Sequence, residues 1–234
     1  AGWTVHIDPA RRDGSGRLLR LGDLAPGAGV IARLASRSAG AAIKLMPGVD
    51  EADLAGVGIE GELEYISRGG RLSQAVVWTG SLRRHRRSAT VIDGSGRAHT
   101  IAGEPHEPGD AHGLGPWLVQ PDPVAERAGL LPELADRSGL DVLHPRLGLL
   151  TGEALEPSAW LAGFRVIERM PWRVERVRAS LASLDAGIVE VKTRGGACDP
   201  DEVQRQLRGD GERMLTVFVL RFGEKIEAIV TERG

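Results

Sequence analysis

One cysteine, Cys198, in 234 residues rules out an internal disulfide, and no cysteine/histidine spacing of the zinc-binding kind occurs. That usage suits a reducing cytoplasm. No apolar run approaches the roughly 18 residues needed to cross a bilayer, and no charged-then-apolar leader opens the chain. The formal net charge is only −2, so any attraction to nucleic acid has to come from a local patch. What is present is ordinary for a globular protein: 41% hydrophobic and 26% charged residues, in a length that suits two small domains better than one large one. An initiator methionine is also missing. The chain opens on the alternating stretch Trp3 to Ile7, with no helix or cap before it, so an upstream segment is expected.

Residues 4–7 read as a strand that runs into Asp8-Pro9-Ala10-Arg11-Arg12-Asp13. Residues 24–38 carry helical patterning with Pro26 in the first turn and Gly40 as a stop, and 41–45 form a second strand closed by Met46-Pro47-Gly48. Strand, helix and strand make a parallel crossover unit. Two hairpins follow, one around Arg68-Gly69-Gly70-Arg71 and one around Asp93-Gly94-Ser95-Gly96. Residues 102–116 are rich in glycine, proline and acidic groups without apolar periodicity, as in a linker, which places the domain boundary between 112 and 113. Beyond it, two short helices, the first capped by Asp122-Pro123, precede a strand at 164–168. A helix with an apolar stripe of Val174, Val177, Leu181 and Leu184 comes next, and then a strand at 188–192. Asp199-Pro200-Asp201-Glu202 is a helix start of the capping-box kind, and a final hairpin turns at Gly223-Glu224. The reading is thus an α/β domain at 1–112 followed by a small α+β domain at 113–234.

At Asp8-Pro9-Ala10-Arg11-Arg12 the sequence resembles a bacterial group of class I S-adenosylmethionine-dependent methyltransferases that carry a C-terminal THUMP-like domain. Ile43-Lys44-Leu45-Met46-Pro47-Gly48, Glu64-Tyr65-Ile66-Ser67 and Ala75-Val76-Val77-Trp78 continue the match in order. Trp117-Leu118-Val119-Gln120-Pro121-Asp122-Pro123 with Arg127-Ala128-Gly129-Leu130 looks like the opening of the THUMP-like domain, and Arg194-Gly195 before Asp199-Pro200-Asp201-Glu202 like its later signature. The resemblance implies the C-terminal half of a Rossmann-like sheet ending in antiparallel hairpins, with S-adenosylmethionine as cofactor and RNA, transfer or ribosomal, as partner. It also implies a cofactor-binding half that this chain lacks: a strand with a glycine-rich turn, and an acidic residue for the ribose. Gly22-Asp23-Leu24-Ala25-Pro26-Gly27-Ala28-Gly29 imitates that turn but follows the active-site strand, so the cofactor residues stay unknown.

Methyl transfer from a sulfonium is an in-line displacement in which the protein aligns the acceptor and takes or orients a proton. Asp8, stiffened by Pro9 at a strand end, suits that role. Methyltransferases of nucleobase amines follow their Asp or Asn with two prolines and an aromatic, whereas here Ala10 and Arg11 stand in the last two places, which leaves the acceptor atom open. Arg11 and Arg12 offer guanidiniums to a base or a phosphate. Arg83-Arg84-His85-Arg86-Arg87 is the densest basic run, and Arg83, Arg84, Arg86 and Arg87 are candidate phosphate contacts, with a solvated loop as the alternative. Arg173, Arg176, Arg178 and Arg194 form a sparser second set diluted by Glu175 and Glu190.

His106, Glu107, Asp110 and His112 lie in the linker with nothing to fix them, so a solvated loop is preferred to a metal site and no metal is expected. Cys198 reads as packing, and Trp117, Trp160 and Trp172 as core anchors of the second domain. Three functions stay open. The chain is part of an RNA methyltransferase. Or it is an inactive RNA- or partner-binding remnant, or a split subunit whose N-terminal half is a separate chain. Or residues 1–112 merely buttress the second domain.

Overall fold

The computed structural model describes residues 2–11, 21, 24–109 and 113–234. These form two compact units: 1–107 with 122–134, and 108–121 with 135–234. The sequence boundary at 112/113 divides the chain differently, because residues 122–134 pack within the first unit.

In the first unit, strand β1 (Thr4–Ile7) is followed by the short antiparallel pair β2 (Ala10–Arg11) and β3 (Leu24–Ala25), then helix α1 (Ala28–Arg37) and strand β4 (Gly40–Leu45). The expected helix thus starts four residues later than its pattern suggests, because Leu24 and Ala25 are engaged in a ladder with Arg11 and Ala10. β1 and β4 pair in parallel, Ile7 beside Ile43, as the crossover reading requires. A five-residue helix, α2 (Glu51–Ala55), leads to β5 (Glu62–Arg68) and β6 (Arg71–Trp78). It is fixed by reciprocal bonds between Asp50 and Asp53. β7 (Arg87–Ile92) and β8 (Ala98–Gly103) complete a six-stranded sheet in the order β1-β4-β6-β5-β7-β8. Both hairpins stand where the turn residues put them.

Alternation gives this sheet one apolar face and one polar face. Leu63, Tyr65, Ala75, Val77, Ala89 and Val91 are all at most 3% exposed. Helix α3 (Pro123–Arg127) lies against the same strands, with Arg127 over the Tyr65 ring. The cross-strand partners on the opposite face are largely polar. One row across four strands is Lys44, Val76, Glu64 and Ser88, and the row beside it is Ala42, Trp78 and Glu62.

In the second unit, β9 (Trp117–Pro121), β10 (Asp141–Val142) and β11 (Leu150–Gly152) pair in a row, and helix α4 (Leu131–Ser138) spans the division between the units. Then come β12 (Leu161–Pro171), α5 (Val174–Ser183), β13 (Ala186–Arg194), α6 (Pro200–Leu207), β14 (Arg213–Phe222) and β15 (Lys225–Arg233), in the strand, helix, strand, helix, strand, strand order read from the sequence. The sheet order is β10-β11-β9-β12-β15-β14-β13. Val177 and Leu181 of α5 and Val203 and Leu207 of α6 bury against Val189, Val191, Val217 and Val230, and Val174 and Leu184 extend the stripe. Each such side chain contributes about 1.5–3 kcal/mol. On the other face Phe164 and Phe218 meet edge to face, 4.9 Å between centroids. Trp160 is buried, Trp172 packs under α5, Trp117 is half-buried in β9, and Cys198 packs in the same layer. Burial pushes the Cys198 thiol pKa up, so it stays protonated at neutral pH.

No described helix is long and apolar enough to cross a membrane.

Candidate functional site

Parallel pairing of β1 and β4 brings their carboxyl ends side by side, at the edge where open α/β sheets receive ligands. Asp8 leaves β1 there, with Pro9 next. Its Oδ2 lies 2.9 Å from Nζ of Lys44 in β4, and the two side chains are 52% and 42% exposed. The pair is open to solvent, so its worth to stability is small, but it sets the direction of the carboxylate. Lys44 is not among the site residues that the sequence suggests. The available signal was a lone cation in the apolar strand Gly40–Leu45. The backbone of Arg11 lies in β2, opposite Leu24 of β3. Arg12 is outside the described residues, as are Asp110 and His112.

The basic run sits toward the other edge of the sheet. β6 runs antiparallel to β4, with Trp78 opposite Ala42, so the chain leaving β6 emerges near the start of β4. Gly80 turns it there with φ of +55°. A Cβ at that position would lie 2.3 Å from the Ala39 carbonyl oxygen, so only glycine allows the approach. Arg83, Arg84, His85 and Arg86 then stand exposed. Arg86 reaches Glu51 at 3.5 Å and Glu104 at 3.4 Å.

Arg87 has to be withdrawn from the predicted contacts. It opens β7 on the apolar face, is 7% exposed, bonds Glu51 at 2.7 Å and lies 5.6 Å over the Tyr65 ring. Burial alone would raise the Glu51 carboxyl, but hydrogen bonds and charge from Arg87 and Arg86 outweigh it and hold the pKa below the usual glutamate value.

Glu62, 5% exposed, fixes the exposed part of the run. Its Oε2 accepts the backbone N–H groups of Arg84 and His85, each at 2.9 Å, and its Oε1 accepts the Ser88 hydroxyl. Burial pushes its pKa up, yet these bonds prevail and the carboxyl titrates below its ordinary value. A carboxyl depressed by folding stabilises the fold fully above the unfolded pKa, about 4.3, and that share is lost as pH falls through the lower folded pKa. Glu62→Gln is therefore expected to flatten the acid limb of a stability profile measured by urea unfolding between pH 3 and pH 6. A limb as steep as that of the unsubstituted chain would show that Glu62 is not the anchor.

Next to Glu62 on the polar face, Glu64 accepts one bond on each oxygen, from Trp78 Nε1 at 2.8 Å and from Thr90 Oγ1. Neither glutamate was predicted, since carboxylates on a strand ordinarily read as a solvated face.

The strand before α1, β3, is two residues long and, among the described residues, pairs with β2, outside the main sheet. Of the glycine-containing stretch 22–29, residues 22 and 23 lie outside the described residues, and the rest does not follow a strand of the main sheet.

Comparison with known proteins places this geometry. Residues 161–233 match the THUMP domain-like family. A protein of Mycobacterium tuberculosis, described as an uncharacterized S-adenosylmethionine-dependent methyltransferase and found in two strains, is 37% identical over 222 residues. The match covers 94% of this chain and 60% of the relative. A crystal structure from Porphyromonas gingivalis W83, of a protein assigned as a methyltransferase, superposes with a TM-score of 0.74 at 20% identity, over 99% of this chain and 59% of that one. That likeness establishes a shared fold. In both cases the chain spans about three-fifths of the protein it matches.

Proposed function

The chain is a relative of S-adenosylmethionine-dependent methyltransferases and carries a THUMP-like domain, and on that premise we propose that it forms the acceptor-side part of a methyltransferase acting on RNA. The observation that carries the reading is the Asp8–Lys44 pair at the adjoining carboxyl ends of β1 and β4. Asp8 is the proton acceptor and orienter for the nucleophile of the substrate, Pro9 fixes its backbone, and Arg11 and Arg12 supply substrate contacts. The methyl donor is S-adenosylmethionine, as the relatives' description states. No cradle for it is found among the described residues. The sequence division at 112/113 marks where the methyltransferase part gives way to the THUMP-like part.

RNA as substrate draws support from the THUMP-like domain and from Arg83, Arg84 and Arg86, which project from a loop whose backbone is anchored by Glu62. Removing those three guanidiniums together by alanine substitution should weaken RNA association. It should also lower the slope of log affinity against log salt by about 2, at roughly 0.7 per single-strand phosphate contact. Fluorescence anisotropy over a salt series measures this, and an unchanged slope returns the loop to a solvated role. The function itself is tested with radiolabelled S-adenosylmethionine, the complete methyltransferase and total RNA from cells lacking its gene. Label in RNA supports the reading, whereas label in protein only, or none, overturns it.

A further inference from the structure

A cavity of about 450 Å³ opens on the polar face of the first sheet, lined by Glu62, Glu64, Trp78, His85, Ser88 and Thr100. Arg84 and His85 form a wall that it shares with a basic hollow of about 560 Å³ at Arg83 and Arg86. The cavity falls within the size range of small-molecule sites. We infer that it holds one unpaired nucleobase of the RNA, guanine in preference to the others, with an adjoining phosphate on Arg83 and Arg84. The inference rests on the proposal that RNA is the substrate and names a recognition pocket within it, apart from the reacting centre.

The polar groups in the cavity are arranged so that the carboxylates present acceptors. Thr100 and Thr90 lie 2.8 Å apart, and Thr90 bonds Glu64, so the hydroxyl protons run toward the carboxylate. Each Glu64 oxygen is used once and keeps a second lone pair, and Glu62 Oε1 has a lone pair beyond its bond to Ser88. Glu62 stays ionised because its pKa is depressed. Such a wall pairs with neighbouring donors. The Watson–Crick edge of guanine offers two, N1–H and the N2 amine, side by side. Adenine and cytosine place a ring acceptor beside their amine, and uracil flanks its one N–H with two carbonyls, so each sets an acceptor against the carboxylates. Trp78, half-buried and held through its Nε1, supplies an aromatic wall. The carboxylates repel phosphate, and the arginines at the rim are what admit an anionic nucleotide.

The placement fits a base near the acceptor. Glu64 lies in the same row as Lys44, and β5 is three strand spacings from β1, about 14 Å. A short single-stranded segment spans that distance on one face of the sheet.

Calorimetry of the chain with guanosine, adenosine, cytidine and uridine 5′-monophosphates, and with inorganic phosphate, tests the pocket. Guanosine monophosphate should bind at least tenfold more tightly than the other nucleotides and phosphate. Glu64→Gln, which turns one acceptor into a donor, should erase that margin. Arg84→Ala should weaken all four nucleotides alike. Equal binding of guanosine and adenosine monophosphates by the unsubstituted chain overturns the inference without reliance on any variant, and so does a guanine margin that survives Glu64→Gln in a folded protein. The two readings fail separately. Methylated RNA with no mononucleotide discrimination sinks the pocket alone, and a guanine margin with no methyl transfer to RNA sinks the proposed substrate alone.

Discussion

Asp8→Asn in the complete methyltransferase is expected to lower turnover about 10²-fold or more, with the melting midpoint and the cofactor affinity unchanged. On the proposed role of Asp8 the loss follows from removing one positioned proton acceptor, since an amide of the same shape holds the acceptor group but takes no proton from it. The fold should not notice the change. The Asp8 side chain is about half exposed, and its one side-chain bond among the described residues is to Lys44 on the surface, a pair of small worth to stability. KM should move little, because the missing interaction strengthens in the transition state and not on substrate binding. Steady-state kinetics on unmodified RNA, alongside thermal unfolding, separates the outcomes. Full turnover with a midpoint several degrees lower would make Asp8 a structural cap of the turn after β1, and the proposed acceptor site would fall with it.

The parts legible in the sequence were those decided by neighbours along the chain. The β5–β6 hairpin follows from alternation on either side of Gly69-Gly70, and α6 from Asp199 accepting the N–H groups of Asp201 and Glu202. The parallel pairing of β1 with β4 follows from the helix between them. The short elements β2, β3, β9, β10, β11 and α2 are not legible, for a corresponding reason. β10 and β11 hold two and three residues and owe their pairing to each other and, for β11, to β9, and α2 is held by two aspartates where a glutamate or glutamine is usual at the third helical position.

The site was legible only in its first residues. Asp8 and Pro9 declare themselves as a strand end, but Lys44 comes beside Asp8 only through a ladder between segments 36 residues apart. Arg86 and Arg87 are identical in sequence and opposite in fate. The first residue of β7 turns inward to Glu51 and Tyr65, while its predecessor stays out, because a strand sends neighbours to opposite faces. The roles of Glu62 and Glu64 depend on partners 14 to 26 residues away, beyond the reach of any local pattern.

Arg127→Ala is expected to lower the stability of the chain by about 2 kcal/mol, read as a lower midpoint in urea at constant slope. Arg127 belongs to α3, in the segment that packs within the first unit, and its guanidinium gathers the loop that follows β4. Nε donates to the Pro47 carbonyl at 3.0 Å, and Nη2 donates to those of Gly48 and Val49 at 2.8 and 2.7 Å. The same group lies 4.9 Å over the ring of Tyr65, whose hydroxyl donates to the Val49 carbonyl at 2.6 Å. Truncation leaves three carbonyls without their cationic donor and removes the stack, but Gly48 is exposed and water repairs part of the loss, which sets the estimate near 2 and not above it. The conservative change discriminates between charge and shape. Lysine keeps the charge but cannot aim several N–H groups along a plane at three carbonyls while stacking flat on a ring, so Arg127→Lys should recover less than half of the deficit. Full recovery by lysine would mean that the charge alone matters there. The loop so gathered begins two residues beyond Lys44, the partner of Asp8, so under the proposed function both variants should also raise KM for RNA before they lower turnover.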